Sequence, residues 1–436
     1  MKKYNILRAV LMTALFLILF GNTEKVMSAP VEHKLPNGVT VLYEKVPGVK
    51  VVSVQCWIKT GSVNENDKLS GISHFLEHML FNGTKKFKPG EIDEYLDAKG
   101  GYNNAFTSLD VTNYYVTIPT DEAEAAYEVV SDMVFNALLL QTEIDREKPV
   151  VLQEINRKYD DPSYKMWQDL QATLFEGTPY SRQVIGSSKT VSEFTRDEIV
   201  DYYNRFYHPE NMTLVVVGDI EQDKAVELAG KYFNQTRNVP AGLGYTGEND
   251  VTFKTPVNKH FTADVNVDYA VFAYPTGMQD IKTVYAEEVF GEILSGGEYS
   301  LLNEIIKNQN NTAIYVTDIG LFNHYNGLFG AMAVVPKGNG EKFRDEAVAI
   351  INDIAKGKLD EKRLEKAKNR LKSKNIFEEE NVSSLAQNIG YAYVLDFKDY
   401  HLNYEKGIDA VTLSDVSEAA KRMTSGPMYF GITSNN

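Results

Sequence analysis

The second half of the chain repeats the order of strand and helix patterns found in the first half, and this repetition constrains the fold more than any other feature. A strand-like run over 114–119 ends at a proline and precedes two long helical patterns, near 121–139 and 143–159. A second such run, near 327–335, is followed by a proline and by two helical patterns between 343 and 376. This order predicts an α+β fold with two homologous units, each an antiparallel sheet covered by helices.

The stretch 239–250 separates the two halves. It is rich in proline and glycine and has little apolar periodicity, which is typical of a linker. We therefore predict one domain over 29–238, the linker over 239–250 and a second domain over 251–436. A chain of 436 residues is longer than one hydrophobic core ordinarily holds, so two domains are expected.

The first 28 residues have the composition of a secretory signal peptide. Basic residues up to Arg8 precede an apolar run over 9–20, and the small residues Ser28 and Ala29 follow. The apolar run is shorter than the ~20 residues that span a bilayer, and no later stretch is long enough. We predict a signal peptide over 1–28 and an exported protein without stable membrane insertion after cleavage. The periplasm is the expected compartment, and a secreted or signal-anchored protein is the alternative.

The net charge of −15 at pH 7 bears on the choice of partner. A strongly acidic chain repels a phosphate backbone, so we expect no nucleic acid partner. The same charge favours cationic peptides as ligands. The single cysteine, Cys56, has no partner for an intrachain disulfide and lies in an apolar run, so we predict that it is a core residue.

Residues 74–78 read His-Phe-Leu-Glu-His, within a pattern of apolar residues at helical spacing. His74 and His78 are therefore one helical turn apart, and both imidazoles can reach a single metal ion. Zinc accepts imidazole and carboxylate ligands, and three protein ligands leave one position for water. Glu77 lies on the same turn and can take a proton from that water. The residues predict metal-dependent hydrolysis with Zn²⁺ as the cofactor.

A third ligand has to come from elsewhere, because the other histidines are scattered singly. The second long helical pattern offers Glu147 and Glu154, which are seven residues apart and so share one face. Pro149 lies between them, and a proline inside a helix can kink it. In the second half the matching positions are Ala367 and Lys374, and no histidine pair precedes them. Only the first half is therefore predicted to hold metal, and the residues alone leave both glutamates as candidate ligands.

On this set of residues the chain resembles the pitrilysin/insulinase family of zinc metallopeptidases, the inverted zincins, in its mitochondrial-processing-peptidase-like branch. The resemblance covers essentially the whole chain after the predicted signal peptide. It implies that His74, His78 and Glu154 bind one zinc ion per chain. Glu77 would be the catalytic base and Glu147 a residue that supports the ligands. The expected function is a zinc endopeptidase that cleaves peptides or unfolded segments in a chamber between bowl-shaped halves.

The resemblance extends to segments that contact the substrate. The run Gly-Gly-Tyr-Asn-Asn-Ala-Phe-Thr is similar to the family's edge strand beside the metal, where the substrate pairs as an added strand, and Asn104 and Ala105 are the matching positions. The competing interpretation is that the glycines cap a helix and the asparagines form a turn. In the second half, Tyr315 matches a tyrosine that holds substrate carbonyls together with an arginine seven residues earlier. That position is Asn308 here, and the nearest basic residue is Lys307.

This departure from the family pattern implies a partner chain. A lysine offers a point charge rather than a planar fork of donors, so a peptide clamp built from this half is incomplete. We expect the metal-bearing subunit of a bacterial two-subunit peptidase, paired with a homologous subunit that lacks the zinc site, and a homodimer is the alternative. The alternative function is a non-enzymatic assembly or peptide-binding subunit, since relatives of this fold are structural subunits of respiratory complexes. The intact metal-binding set favours the enzyme.

Overall fold

The structure, a computed structural model, describes residues 29–237, 253–277 and 281–435. The predicted signal peptide over 1–28 and the predicted linker over 239–250 lie outside the described residues. No helix in the described part of the chain combines the length and the apolar composition needed to cross a membrane.

The first half alternates strands and helices as its sequence pattern predicts. The strands are β1 (Val31–Lys34), β2 (Thr40–Lys45), β3 (Val51–Ile58), β4 (Tyr102–Thr107), β5 (Thr112–Pro119) and β6 (Met212–Gly218). The helices are α1 (Ile72–Phe81), α2 (Glu91–Asp97), α3 (Ala123–Asn136), α4 (Gln141–Tyr159), α5 (Tyr164–Leu174), α6 (Ser188–Glu193), α7 (Arg196–Phe206) and α8 (Gln222–Tyr232). The two long predicted helices are therefore confirmed as α3 and α4, with ends that differ by a few residues.

The second half follows the same plan. Its strands are β7 (Val257–Thr262), β8 (Asp268–Thr276), β9 (Tyr315–Phe322), β10 (Gly327–Val335) and β11 (Tyr429–Ser434). Its α-helices are α9 (Ile281–Ser295), α10 (Gly340–Ala355), α11 (Glu361–Glu379), α12 (Val382–Val394), α13 (Lys398–Leu402), α14 (Tyr404–Ala410) and α15 (Leu413–Met423). A π-helix over Leu302–Gln309 precedes β9. The strand and the two helices predicted between 327 and 376 are confirmed as β10, α10 and α11.

The two sheets have the same strand order. The first is β1-β2-β6-β3-β5-β4 and the second is β7-β11-β8-β10-β9, so five strands of the first sheet correspond one by one to the second. Each sheet is antiparallel except at one matching pair, since β2 and β6 run parallel, as do β7 and β11. The predicted α+β fold with two homologous units is therefore confirmed. Cys56, on β3, is fully buried as predicted.

Helices exchanged between the halves cover one face of each sheet, while helices of the same half cover the other. Helix α5, from the first half, buries Met166 and Leu170 against the second sheet. Helix α12, from the second half, buries Ile389 against the first sheet, beside Trp57. At Gly390 of α12, an added methyl carbon would lie 2.2 Å from Nε1 of the Trp57 ring. Because each sheet has apolar residues on both faces, neither half buries its own sheet alone.

Candidate metal centre

Helix α1 places three chemically active side chains on one face. Its apolar residues other than Phe81 are buried, whereas His74, Glu77 and His78 are only partly buried. Side chains three and four positions apart are neighbours on a helix surface, so these three lie side by side. The apolar face fixes the helix on the first sheet and leaves the polar face open to a second helix.

A buried carboxylate fixes the start of α1, and sequence reasoning did not single it out. The two oxygens of Glu65 accept hydrogen bonds from Gly71 N and Ser73 N, each at 2.8 Å. Gly71 adopts a φ of 96°, a conformation that favours glycine. Burial raises the pKa of Glu65 to about 7, although the backbone N–H groups act to lower it. Glu65 therefore satisfies N–H groups that lack partners within the helix.

Helix α4 brings two glutamates to the histidines. Glu154 Oε2 lies 3.7 Å from Nε2 of His74 and 3.7 Å from Nε2 of His78. Glu147 Oε1 lies 2.8 Å from the other ring nitrogen of His78, Nδ1. Pro149 lies between the two glutamates, yet α4 continues through it from Gln141 to Tyr159. The two glutamates therefore have different contacts: Glu154 is shared by both rings, and Glu147 bonds one.

Asn82 holds Glu147 in place, and this contact was also missed. The Asn82 amide donates from Nδ2 to Glu147 Oε2 at 2.8 Å, while the other carboxylate oxygen bonds His78. Asn82 directly follows α1 as its C-terminal cap residue. The carboxylate thus fixes the orientation of the His78 ring and turns Nε2 toward Glu154. Hydrogen bonding of the second ring nitrogen is how proteins orient metal-binding histidines.

The converging atoms fit one zinc ion. One ligand atom from each of His74, His78 and Glu154 lies within 4.8 Å of the others. Two atoms each about 2.1 Å from a tetrahedral zinc ion are about 3.4 Å apart, close to the 3.7 Å separations found here. Two imidazoles and one carboxylate are a donor set of catalytic zinc sites, which keep a fourth position for water. No second group of this kind occurs among the residues that the structure describes.

Burial and nearby charges shift the pKa values of the two histidines in opposite directions. Burial, with a smaller contribution from His78, lowers the pKa of His74 to about 3, so this imidazole is neutral and offers a lone pair. Burial also acts to lower the pKa of His78, but the hydrogen bond and charge of Glu147, together with the charges of Glu77 and Glu154, outweigh it and raise the pKa. The contact with His78 in turn lowers the pKa of Glu147. Metal binding must displace any proton on His78, so it depends on pH.

Strand β4 positions Glu77. Thr107, the last residue of β4, donates from Oγ1 to Glu77 Oε2 at 2.5 Å. Burial raises the pKa of Glu77, so its carboxylate takes up a proton more readily than that of an exposed glutamate. Thr107 belongs to the run predicted to flank the metal, but its role depends on how β4 packs against α1. No signal in the sequence identifies this contact.

The predicted edge strand beside the metal is present as β4. It is the outermost strand of the first sheet, and among the strands that the structure describes it pairs only with β5. Asn104 and Ala105 lie in its middle, so the asparagine does not form a turn, and Asn104 Oδ1 accepts a hydrogen bond from the Ala105 N–H at 2.8 Å. An edge strand presents a row of backbone donors and acceptors on its outer side. This row begins beside the residue that bonds Glu77.

The residues predicted to hold substrate in the second half lie on a different sheet. Tyr315 starts β9, the edge strand that corresponds to β4, and its side chain is 53% exposed. Among the described residues, no hydrogen bond joins Tyr315 to His74, His78 or Glu154. Lys307 Nζ lies 3.6 Å from Glu298 Oε2, and Asn308 Nδ2 donates to Glu298 Oε1 at 3.2 Å.

Lys307 and Asn308 both belong to the π-helix. This affects which of them occupies the position of the arginine that the family pattern places seven residues before Tyr315. The i→i+5 hydrogen bonds of a π-helix take more residues per turn than those of an α-helix. A spacing of seven residues back from Tyr315 therefore does not decide between Lys307 and Asn308 as the counterpart of the family's arginine.

Two family models match the chain. The model described as Insulinase (Peptidase family M16) matches residues 40–188, and the model described as Peptidase M16 inactive domain matches residues 193–371. The first range contains the converging histidines and Glu154. The second range contains β9, β10 and most of α11.

Similar proteins cover most of the chain. A Rickettsia felis protein described as an uncharacterised zinc protease is 28% identical over 367 residues, which are 83% of this chain and 86% of the relative. A probable mitochondrial-processing peptidase beta subunit of Arabidopsis thaliana is 26% identical over 381 residues, covering 84% of this chain and 71% of the relative. The solved structure of a protease from Helicobacter pylori shares the fold, with a TM-score of 0.88 at 24% identity, over 93% of this chain and 100% of that one.

Proposed function

The chain belongs to the insulinase family of peptidases, and on this basis we propose that it is a zinc-dependent endopeptidase acting on peptides or unfolded segments. The observation that carries the proposal is the convergence of His74 Nε2, His78 Nε2 and Glu154 Oε2 at a spacing suited to zinc. These three side chains would hold one zinc ion per chain. The second half, where Ala367 and Lys374 replace the glutamates, would hold none.

The surrounding residues supply the proton chemistry. A bound zinc ion would lower the pKa of its water and polarise the substrate carbonyl. Glu77 accepts the proton of the attacking water and delivers it to the leaving amine nitrogen. Thr107 bonds Glu77 Oε2, which leaves Oε1 to carry the proton. Glu147 holds the His78 ring through Nδ1 and so keeps Nε2 directed at the metal position.

The edge of β4 gives the substrate a place to bind. An extended peptide can pair with the backbone of Asn104 and Ala105 as an added strand, an interaction that depends little on side chains. Thr107 ends the same strand and contacts Glu77. A peptide paired along β4 therefore passes beside the catalytic base. This geometry supports cleavage within a chain rather than at a terminus.

We extend the proposal to a partner and a compartment. Tyr315 and Lys307 would contact substrate in a chamber shared with a homologous chain that lacks the metal set, and a homodimer is the competing arrangement. The protein would be exported, with the periplasm as the expected location. Purification from the native host, followed by sizing and mass analysis of the complex and its N-terminus, tests these points. A fully active monomer, or a mature chain that retains residues 1–28, would refute the corresponding part.

Metal analysis combined with peptide hydrolysis tests the activity itself. The purified protein should contain about one zinc per chain, and it should cleave an unfolded polypeptide. A chelator should abolish cleavage, and added zinc should restore it. The non-enzymatic alternative instead expects peptide binding without cleavage and without any effect of the chelator.

A further inference from the structure

Helix α11 presents a basic face to an open groove of about 900 Å³. Four exposed cations line this groove at four-residue intervals along the helix: Lys362, Lys366, Arg370 and Lys374. Glu378 is the one carboxylate among the lining residues that the structure describes. The groove is therefore a local basic region on a chain whose net charge is −15.

Two of these cations have no acidic partner in the described part of the chain. Arg370 pairs with Glu292. Lys366 Nζ lies 4.6 Å from the centroid of the Tyr299 ring, and neither Lys362 nor Lys366 has a described carboxylate within 4.0 Å. Both side chains line the groove, and no described carboxylate neutralises either charge.

The basic face of α11 corresponds to the metal-binding face of α4. When Ile144 is matched with Leu364, both of which are buried, Lys374 takes the place of Glu154. Arg370 then takes the place of Val150, which is half exposed and lies four residues before Glu154 on α4. The groove therefore lies on the face of α11 that corresponds to the Glu154 face of α4.

A cavity connects the groove with the edge strand beside the metal. Lys374 and Glu378 line both the groove and a cavity of about 490 Å³ between the halves. Phe106 of β4 also lines this cavity. Phe106 belongs to the strand on which the substrate is proposed to pair, so the cavity leads from that strand to the basic groove.

We propose that the groove along α11 binds an acidic stretch of the peptide substrate at a distance from the cleaved bond. The inference rests on the proposed peptidase function and names its substrate class. Cations four residues apart on a helix are separated by about 6 Å along its axis. Side chains on one side of an extended peptide are about 6.6 Å apart. Alternate carboxylates of an extended segment can therefore meet successive cations, so the groove selects Glu-x-Glu patterns.

Peptide binding to the inactive Glu77→Gln protein tests the groove without catalysis. Three labelled peptides share one core and carry a flank of alternating Glu, Gln or Lys, and fluorescence anisotropy measures their affinities. We expect the Glu flank to bind roughly three- to tenfold more tightly than the Gln flank, with a smaller advantage at high salt. The double substitution Lys362→Gln and Lys366→Gln should remove this advantage.

A charge-matched variant provides the control. Lys50 and Lys337 are exposed and lie outside the groove, so the double substitution Lys50→Gln and Lys337→Gln should preserve the preference for the Glu flank. Equal loss in both double variants would overturn the proposal, because it would indicate a general charge effect. A preference for the Lys flank, as the net charge alone favours, would also overturn it. So would binding of anionic lipid vesicles through Lys362 and Lys366 without selectivity among the peptides.

Kinetics on the active chain separate this proposal from the proposed function. An acidic flank should lower KM with little change in kcat, because the groove is remote from the cleaved bond. Cleavage that is indifferent to the flank would refute the groove and leave the peptidase intact. Tight binding of the Glu flank without any cleavage would refute the peptidase and leave the groove intact.

Discussion

The two halves of the molecule share one scaffold and differ in what their matching helices carry. In the first half, α1 and α4 bring His74, His78 and Glu154 together. In the second half, α9 and α11 are joined by an ion pair between Glu292 and Arg370. The strand order is the same in both sheets, and so is the position of the parallel strand pair.

The difference shows which residues maintain the fold and which provide chemistry. Ile144 of α4 and its counterpart Leu364 of α11 are both buried and apolar. The neighbouring Glu147 is replaced by the buried Ala367, which leaves no group to orient a histidine. Apolar positions keep each helix on its sheet, so the polar face can change without loss of the fold. One face has become a candidate metal site and the other a basic groove.

The largest effect is expected from Glu77→Gln. It removes the base but none of the three metal-binding side chains, so turnover should fall roughly 10²- to 10⁴-fold while zinc content is retained. Metal analysis and a fluorogenic peptide assay measure the two quantities. Glu292→Gln, on the matching helix of the second half, should leave zinc content and turnover of an uncharged peptide near those of the parent. Retained turnover in Glu77→Gln would contradict its role.

The two glutamates of α4 should differ in their effect on metal affinity. Glu154→Gln weakens a ligand and should lower zinc occupancy most, while Glu147→Gln should weaken zinc binding about 10- to 100-fold through the His78 ring. Competition with a chelator of known affinity gives both values. Lys374→Glu in the second half should create no zinc site, because no histidine pair faces it. A larger loss from Glu147→Gln than from Glu154→Gln would reverse the two assignments.

The exchanged helices can be tested at one close contact. Gly390→Ala places a methyl group against the Trp57 ring, so it should destabilise the chain by about 1–3 kcal/mol. Gly230 lies in α8 and has nothing within 4 Å of an added Cβ. Gly230→Ala should therefore stabilise the chain by roughly 0.5–1 kcal/mol through helix propensity. Denaturant unfolding measures both, and destabilisation of similar size in the two variants would argue against the packing of α12 on the first sheet.

The smallest effect concerns a buried histidine of the second half that has no metal role. Burial lowers the pKa of His401 to about 4 from an ordinary value of 6.5. Between these values the unfolded chain binds one more proton than the folded chain, so the free energy of unfolding falls as the pH falls. The contribution is at most about 1.4 kcal/mol per pH unit. His401→Gln should show a shallower loss between pH 6.5 and 4, measured in chelator so that metal release does not contribute. Parallel curves for the two proteins would show that His401 does not titrate in this way.

Much of the fold could be predicted because periodicity is a local property. The alternation before Pro119 and the helical spacing around His74 indicate β5 and α1 without knowledge of any neighbour. The exchange of α5 and α12 could not be predicted in this way. An apolar helix face shows that something covers it, but not which sheet does so. The continuity of α4 through Pro149 is also settled only by the packing around it.

The sequence by itself determined the spacing of the two histidines, the glutamate between them, the pair Glu147 and Glu154, and the duplicated order of elements. These follow from helical geometry and from the order of residues in the chain. Only the tertiary structure decided that Glu154 is shared by both rings while Glu147 bonds the far side of one. It likewise decided that Thr107, Asn82 and Glu65 serve the site. Such contacts depend on how separate elements approach one another, and hydrogen bonds of about 2.8 Å form or fail with shifts of less than 1 Å.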